Sequence, residues 1–405
     1  MALSACAGAR PRPRFVRASR RPRYVVATQS FYWGVQDLTP LAPARALRLP
    51  DFAGARGHTV LTVVNDDGTN VQRLILPGLY HCASTDPASD LLYVIGNHRP
   101  GALIALNAGD LTLARLSPKP DDTDVRNFAG HGVGVNGAMA FTMNNFERGK
   151  FDEISLRDPF TLREIDRFST HGFQAHEIRL TEDGKYFVCG HYGSYLGQGP
   201  YQGLGIYGDA PDKYVHQDIV YPASVSLVEV RSGKRFRVVS GIQAGQEGHA
   251  TTDSENRVYL PNDPALLDSR PDVATNDRFR EGERDVADGA EFASTAKSFG
   301  IALVYDPAYR ELIVPVRARA LLLITSTVTQ EPKLVDFAGS LRESGLHWAK
   351  PGIDWISGIA FHPDGKHYVV STSDGFLAFE RGTHRLNPAK SFALPLLVHS
   401  HVCVL

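Results

Sequence analysis

His176-Glu177-Ile178-Arg179-Leu180-Thr181-Glu182-Asp183-Gly184-Lys185-Tyr186-Phe187-Val188 sets an Asp-Gly pair between two β-rich runs. An Asp-Gly so flanked is the strongest short-range hairpin signal. The pattern recurs at Gly358-Ile359-Ala360-Phe361-His362-Pro363-Asp364-Gly365-Lys366-His367-Tyr368-Val369-Val370, and each hairpin opens on a similar tag. Working outward from these two, related tags stand at His81-Cys82-Ala83, His131-Gly132-Val133, His249-Ala250-Thr251, Gly300-Ile301-Ala302 and His401-Val402-Cys403. In chain order the intervals are 50, 45, 73, 51, 58 and 43 residues. A unit of about 45 to 50 residues with four strands is the period of a β-propeller blade. The long interval holds a Gly/Tyr-rich stretch near 191–221, which reads as a loop insertion.

Seven tags predict an all-β fold, a single seven-bladed propeller over 24–405. The run from His401 to Leu405 becomes the innermost strand of a blade whose outer strands come from residues 24 to 76. Pairing the N- and C-terminal strands closes the ring and leaves no open sheet edge. Composition agrees: 37 Gly and 25 Pro against 3 Met among 405 residues favour turns over long helices. Residues 1–23 carry seven Arg and no acid, and read as a basic, disordered segment. Within it, Leu3-Ser4-Ala5-Cys6 has the form of a lipoprotein cleavage box without the apolar run such a signal needs, a truncated signal at most.

Lys and Arg total 43 against 44 Asp and Glu, a formal net charge of −1, so no global basic field is available for nucleic acid. No stretch reaches the roughly 18 apolar residues of a membrane span. The four cysteines lack metal-ligand or disulfide spacing, and no nucleophile elbow, phosphate loop or zincin motif is present. The histidines carry the chemistry. The first strand of each propeller blade lines the central channel, and five consecutive tags begin with His401, His81, His131, His176 and His249. Converging neutral imidazoles suit copper, iron, zinc or nickel and point away from magnesium and calcium. His131, His176 and His249, on three consecutive blades, are the first-choice ligands, with His81 and His401 completing the belt. Glu177 is a supporting residue, either orienting a ligand or facing away as a hairpin partner. His98 and Arg99 supply an imidazole and a cation on a turn, as a functional pair or as an ordinary blade loop. Cys82, next to His81, reads as a buried apolar thiol because strand neighbours alternate faces.

In this order the motifs resemble a bacterial family of secreted β-propellers known only as a domain of unknown function. The resemblance is carried from about Arg73 to the C-terminus by His81, Arg99-Pro100-Gly101, Gly130-His131-Gly132-Val133, His171-Gly172, Ala175-His176-Glu177, Pro222-Ala223-Ser224-Val225, Gly248-His249-Ala250, Ser357-Gly358-Ile359-Ala360 and His401. It implies a periplasmic or cell-envelope location and a role in copper or iron handling, with an envelope or metal-handling protein as partner. The chain departs from the family at Met143-Asn144-Asn145, where an acidic residue is usual, and at Gly248, where Arg is common. Two function classes follow: a metalloprotein that carries copper or iron or uses it in redox, and a metal-free scaffold that docks a protein on the propeller face. A propeller lactonase ranks third, because the repeat does not place carboxylate and amide ligands in phase.

Overall fold

The computed structural model describes residues 21–405 apart from two long segments, 192–223 and 260–301, and the stretches 31–36, 50–56, 86–88, 97–101, 118–125, 146, 148–149, 241–248, 317–318, 345, 347–354 and 398–400. Both Asp-Gly hairpins form. Leu180 pairs with Phe187 across the first, where Gly184 takes φ +67° and Asp183 Oδ1 accepts from Thr181 Oγ1 at 2.7 Å and Lys185 N at 3.0 Å. Phe361 pairs with Tyr368 across the second, where Gly365 takes φ +69° and Asp364 Oδ1 accepts from Lys366 N at 2.8 Å. Glycine adopts this left-handed conformation without the Cβ penalty other residues meet.

Each such hairpin grows into an antiparallel sheet that uses its strands in chain order. Five four-stranded sheets begin at the strands Tyr80–Thr85, Arg126–Val135, Ala175–Leu180, Val304–Asp306 and Ile356–Phe361. A sixth has five strands in the order Arg45–Ala46, Gln72–Pro77, His58–Asn65, Arg23–Gln29 and Val402–Val404. Burial follows position in the blade. The second strands Leu91–Gly96 and His367–Thr372 are buried at every residue, whereas the outermost strands Glu164–Ser169 and Pro332–Asp336 bury none. A middle strand is covered on both faces by neighbouring blades, so its apolar run is continuous, and the outer strand meets water.

The core is therefore a set of layers between blades. Val25, Leu61 and Leu74 pack against Leu92, Val94 and Ile104 in one layer; Tyr93 and Ile95 meet Met139 and Phe141 in the next; Ala140 and Ile154 meet Ile178 and Phe187 in a third. Each such aliphatic side chain contributes roughly 1.5–3 kcal/mol by leaving water. The ring closes as the sequence predicts: Tyr24, Val25 and Val26 pair with Val404, Cys403 and Val402, and Leu405 N donates to Arg23 O at 2.8 Å. Among the described residues the one α-helix is the six-residue Ala338–Glu343, and no helix is long and apolar enough to cross a membrane.

The blade count differs from expectation. Six sheets of four or five strands are present among the described residues, six blades and not seven. Among the described residues the His249 unit supplies a two-stranded sheet, Thr251–Thr252 with Val258–Tyr259. The sequence that follows, 260–301, is rich in Asp, Glu and Arg and lies outside the described residues. The insertion expected near 191–221 leaves from His191 and returns at Ser224, which pair with each other, and 192–223 also falls outside the described residues.

Candidate metal centre

Three of the tag histidines sit at irregularities in their strands. Tyr80 pairs with Gly96 and Cys82 with Ile95, so His81 is an extra residue in its ladder. Ala175 pairs with His191 and Ile178 with Cys189, which leaves His176 and Glu177 opposite Gly190 alone. Phe128 pairs with Met143 and Gly132 with Phe141, so Ala129 to His131 stand opposite Thr142. A bulge breaks the alternation of strand side chains and re-aims one of them. Here it lets a residue in each inner strand leave the blade-to-blade packing and turn to the channel. His249 and His401 lie just before the short inner strands Thr251–Thr252 and Val402–Val404.

All five imidazoles are buried and gather into one cluster. Ring centroids are 4.6 Å apart for His81 and His176, 4.6 Å for His131 and His176, 4.8 Å for His131 and His401, and 4.6 Å for His249 and His401. Four of them, His81, His131, His176 and His401, offer ligand atoms that all lie within 4.8 Å of one another. Metal–nitrogen bonds of about 2.0–2.1 Å put ligand atoms on one ion at most about 4.2 Å apart, so the four rings would have to turn slightly inward to share one. His249 is beside this group rather than in it: its Nδ1 is 3.2 Å from Glu177 Oε2. The consecutive-blade trio therefore includes one residue that the geometry sets apart. The channel is narrow enough for His401 to reach rings on the opposite wall.

The electrostatics disfavour a charge on three of these rings. Burial first, then the neighbouring imidazoles, push His131, His176 and His401 well below the ordinary value of 6.5. A neutral imidazole has one ring nitrogen with a lone pair. In His176 a hydrogen bond from the ring to the Ala129 carbonyl helps to fix its orientation, and Thr142 Oγ1 donates to the His176 carbonyl at 2.8 Å. Nε2 of His131 and of His401 is buried with no hydrogen-bond partner among the described residues. Buried polar atoms without partners cost about 1–3 kcal/mol each. A transition metal at the centre of the cluster satisfies them, so the residues present fit such an ion.

Glu177 faces the cluster and not a hairpin partner. Its Oε1 accepts from Arg179 Nε at 2.6 Å, and its Oε2 accepts the Ala250 N–H at 3.0 Å. Burial would raise its pKa, but Arg179 first, then His249 and His401, hold the carboxyl well below the usual range. Cys82 is buried, and burial raises its thiol pKa, so no thiolate is offered; its Sγ–H donates to Ala83 O at 3.1 Å. His98 and Arg99 lie outside the described residues. Asn144 is placed usefully: its Nδ2 donates to Ala175 O at 3.0 Å and to Asp152 Oδ2 at 2.8 Å, next to His176.

The repeat phase also needs one adjustment. Ile356 pairs with Thr372 and Gly358 with Ser371, so the extra residue in that inner strand is Ser357. Ser357, not Gly358, holds the place that His81 holds in its own blade. The tag comparison missed it because a bulge leaves no mark in composition.

No protein-family model and no curated protein matches the chain. Among solved structures it is similar to dihydro-heme d1 dehydrogenase NirN in complex with DHE, at 13% identity and a TM-score of 0.47, with 87% of this chain and 66% of that chain covered. It is also similar to a candidate 6-phosphogluconolactonase from Bacteroides uniformis, at 11% identity and a TM-score of 0.47, with 95% and 99% covered. This chain thus spans just under two thirds of the first of these structures.

Proposed function

We propose that this protein is a cell-envelope β-propeller that binds one copper or iron ion through His81, His131, His176 and His401 and serves in metal handling or redox. The observation that carries the reading is the set of four buried histidine ligand atoms within 4.8 Å of one another. All-nitrogen ligation without a carboxylate favours the later transition metals over magnesium or calcium. Resemblance to the secreted propeller family supports the envelope location and the metal-handling role. A bound copper or iron would supply one-electron or Lewis-acid chemistry. The chain's own residues do the rest: the inner-strand bulges hold the rings, burial excludes bulk water, and Glu177 with Arg179 fixes charge beside His249.

Elemental analysis of protein purified without chelator, then reloaded separately with copper, iron and zinc, tests this. About one equivalent of copper or iron per chain is expected. Less than about 0.2 equivalent with every metal would favour the metal-free scaffold.

A further inference from the structure

We infer that the histidine site takes a small monovalent anion together with its metal, and that Ser357 is the residue that holds the anion. This rests on the metal-binding reading above and adds the second ligand class. Charge is the first argument. The four clustered ligands are all histidines with no carboxylate among them, and the one carboxylate at the cluster, Glu177, is already matched by Arg179, with Nε–Oε1 at 2.6 Å. A divalent ion entering this buried site therefore meets no net negative charge from the protein among the described residues. Burying an uncompensated charge is costly, and a small anion that enters with the metal offsets it.

Position is the second argument. Ser357 is the bulge residue of the Ile356–Phe361 strand, in the ring place that His81 takes on the Tyr80–Thr85 strand. That strand lies against His401: a Cβ built on Gly358 would come 2.5 Å from Val402 N and 3.1 Å from the His401 carbonyl carbon. The third argument is the hydroxyl itself. Ser357 is buried, and its Oγ has no hydrogen-bond partner among the described residues. At the bulge positions seen in these inner strands, Ser357 alone supplies a small donor where the others supply imidazoles. A hydroxyl is suited to donate to an anion, and hydrogen bonds to charged acceptors are roughly twice as strong as neutral ones.

The test uses the full chain loaded with Cu(II) and azide as the probe anion. Metal content is measured first. If the wild type holds neither copper nor iron, the metal-binding reading fails, and this inference with it, before azide is added; if it holds iron alone, the same azide comparison is run on the Fe(III) form. With copper bound, azide should give a saturable charge-transfer band in the wild type and in Ser357→Thr. In Ser357→Ala and Ser357→Cys, copper should remain at wild-type stoichiometry while azide binds at least about tenfold more weakly, the loss expected for one charge-assisted hydrogen bond. Wild-type azide affinity in both of these variants would overturn the assignment. So would loss of copper in both, which would make Ser357 a ligand or a structural residue, and so would a copper-loaded wild type that takes up no azide.

Discussion

His249 Nδ1 lies 3.2 Å from Glu177 Oε2, and the same oxygen accepts the backbone N–H of Ala250 at 3.0 Å. The other carboxylate oxygen is held by Arg179, whose Nη1 donates to Leu303 O at 2.7 Å, at the entry to the Val304–Asp306 strand. One ion pair thus ties three inner strands together, those of Glu177, of Thr251–Thr252 and of Val304–Asp306.

Glu177→Gln keeps an acceptor for Ala250 but leaves Arg179 without its counter-charge. Breaking a buried pair costs about 3–5 kcal/mol. The Arg179 side chain is 26% exposed, so solvent returns part of that, and a loss of about 2 kcal/mol is expected. Urea denaturation at neutral pH measures it; an unchanged midpoint and slope would show that the pair does not link the strands.

Acid should unfold the metal-free protein early. His131, His176 and His401 have folded pKa values pushed below 6.5 by burial and by one another. Their stabilising contribution is therefore present above about pH 6.5 and is lost as pH falls below it, because the unfolded chain takes up protons that the folded one refuses. Three such groups give a limiting slope of about 4 kcal/mol per pH unit. Glu177, also depressed, adds its own loss only below about pH 4.3. Urea melts of chelator-treated protein at about pH 7.5, 6.5 and 5.5 read the slope, and equal stability at all three would contradict buried neutral histidines.

The hairpins, the all-β class and the ring closure were legible because they depend on local chemistry: Asp-Gly turns, alternating runs and a C-terminal strand in phase with the rest. The five histidines were legible as a group because they share one repeat phase. Which four come within mutual reach was not, since that depends on bulges that insert one residue at His81, one at Ser357 and more at His131. An inserted residue in a strand looks like any other residue in sequence. The blade count was misjudged for a related reason: a tag marks where an inner strand starts and says nothing about outer strands, and among the described residues six sheets, not seven, have four or five strands.

Arg381 should be a stability residue with no bearing on metal. Its Nε donates to Asp306 Oδ2 at 2.7 Å, and Asp306 is wholly buried at the end of the neighbouring blade's inner strand. Arg381→Ala leaves that carboxylate buried and unpaired, so a loss of about 3–5 kcal/mol is expected. Chemical denaturation and elemental analysis of the same preparation check both halves. A drop in metal content in folded protein would show that the outer clamp and the channel are coupled.

Gly358→Ala should disturb the closing strand directly. The added Cβ would sit 2.5 Å from Val402 N and 3.1 Å from the His401 carbonyl carbon, backbone atoms that no side-chain rotation can move. Overpacking of this kind costs about 1–3 kcal/mol. Because Val402 follows His401, the variant should also bind metal more weakly than Ser357→Ala does. Thermal melting and metal titration of the two variants side by side make the comparison; equal metal affinity would mean that His401 is positioned independently of the Ile356–Phe361 strand.

His131 and His249 should separate ligand from neighbour. His131 is within 5.6 Å, centroid to centroid, of each of the other four rings, and it belongs to the four with mutually close ligand atoms. His249 touches the cluster but has its Nδ1 beside Glu177. His131→Ala should therefore abolish stoichiometric metal binding, while the fold survives because a ring in the channel is not part of the packing between blades. His249→Ala should keep about one metal per chain with affinity lowered about 10- to 100-fold, the usual effect of removing a partner next to the ligands. If both variants held a full equivalent at wild-type affinity and differed only in melting temperature, the cluster would be a structural device of strand entry and not a metal centre. If His249→Ala lost metal as completely as His131→Ala, the ion would lie nearer the Thr251–Thr252 strand, with His249 among its ligands.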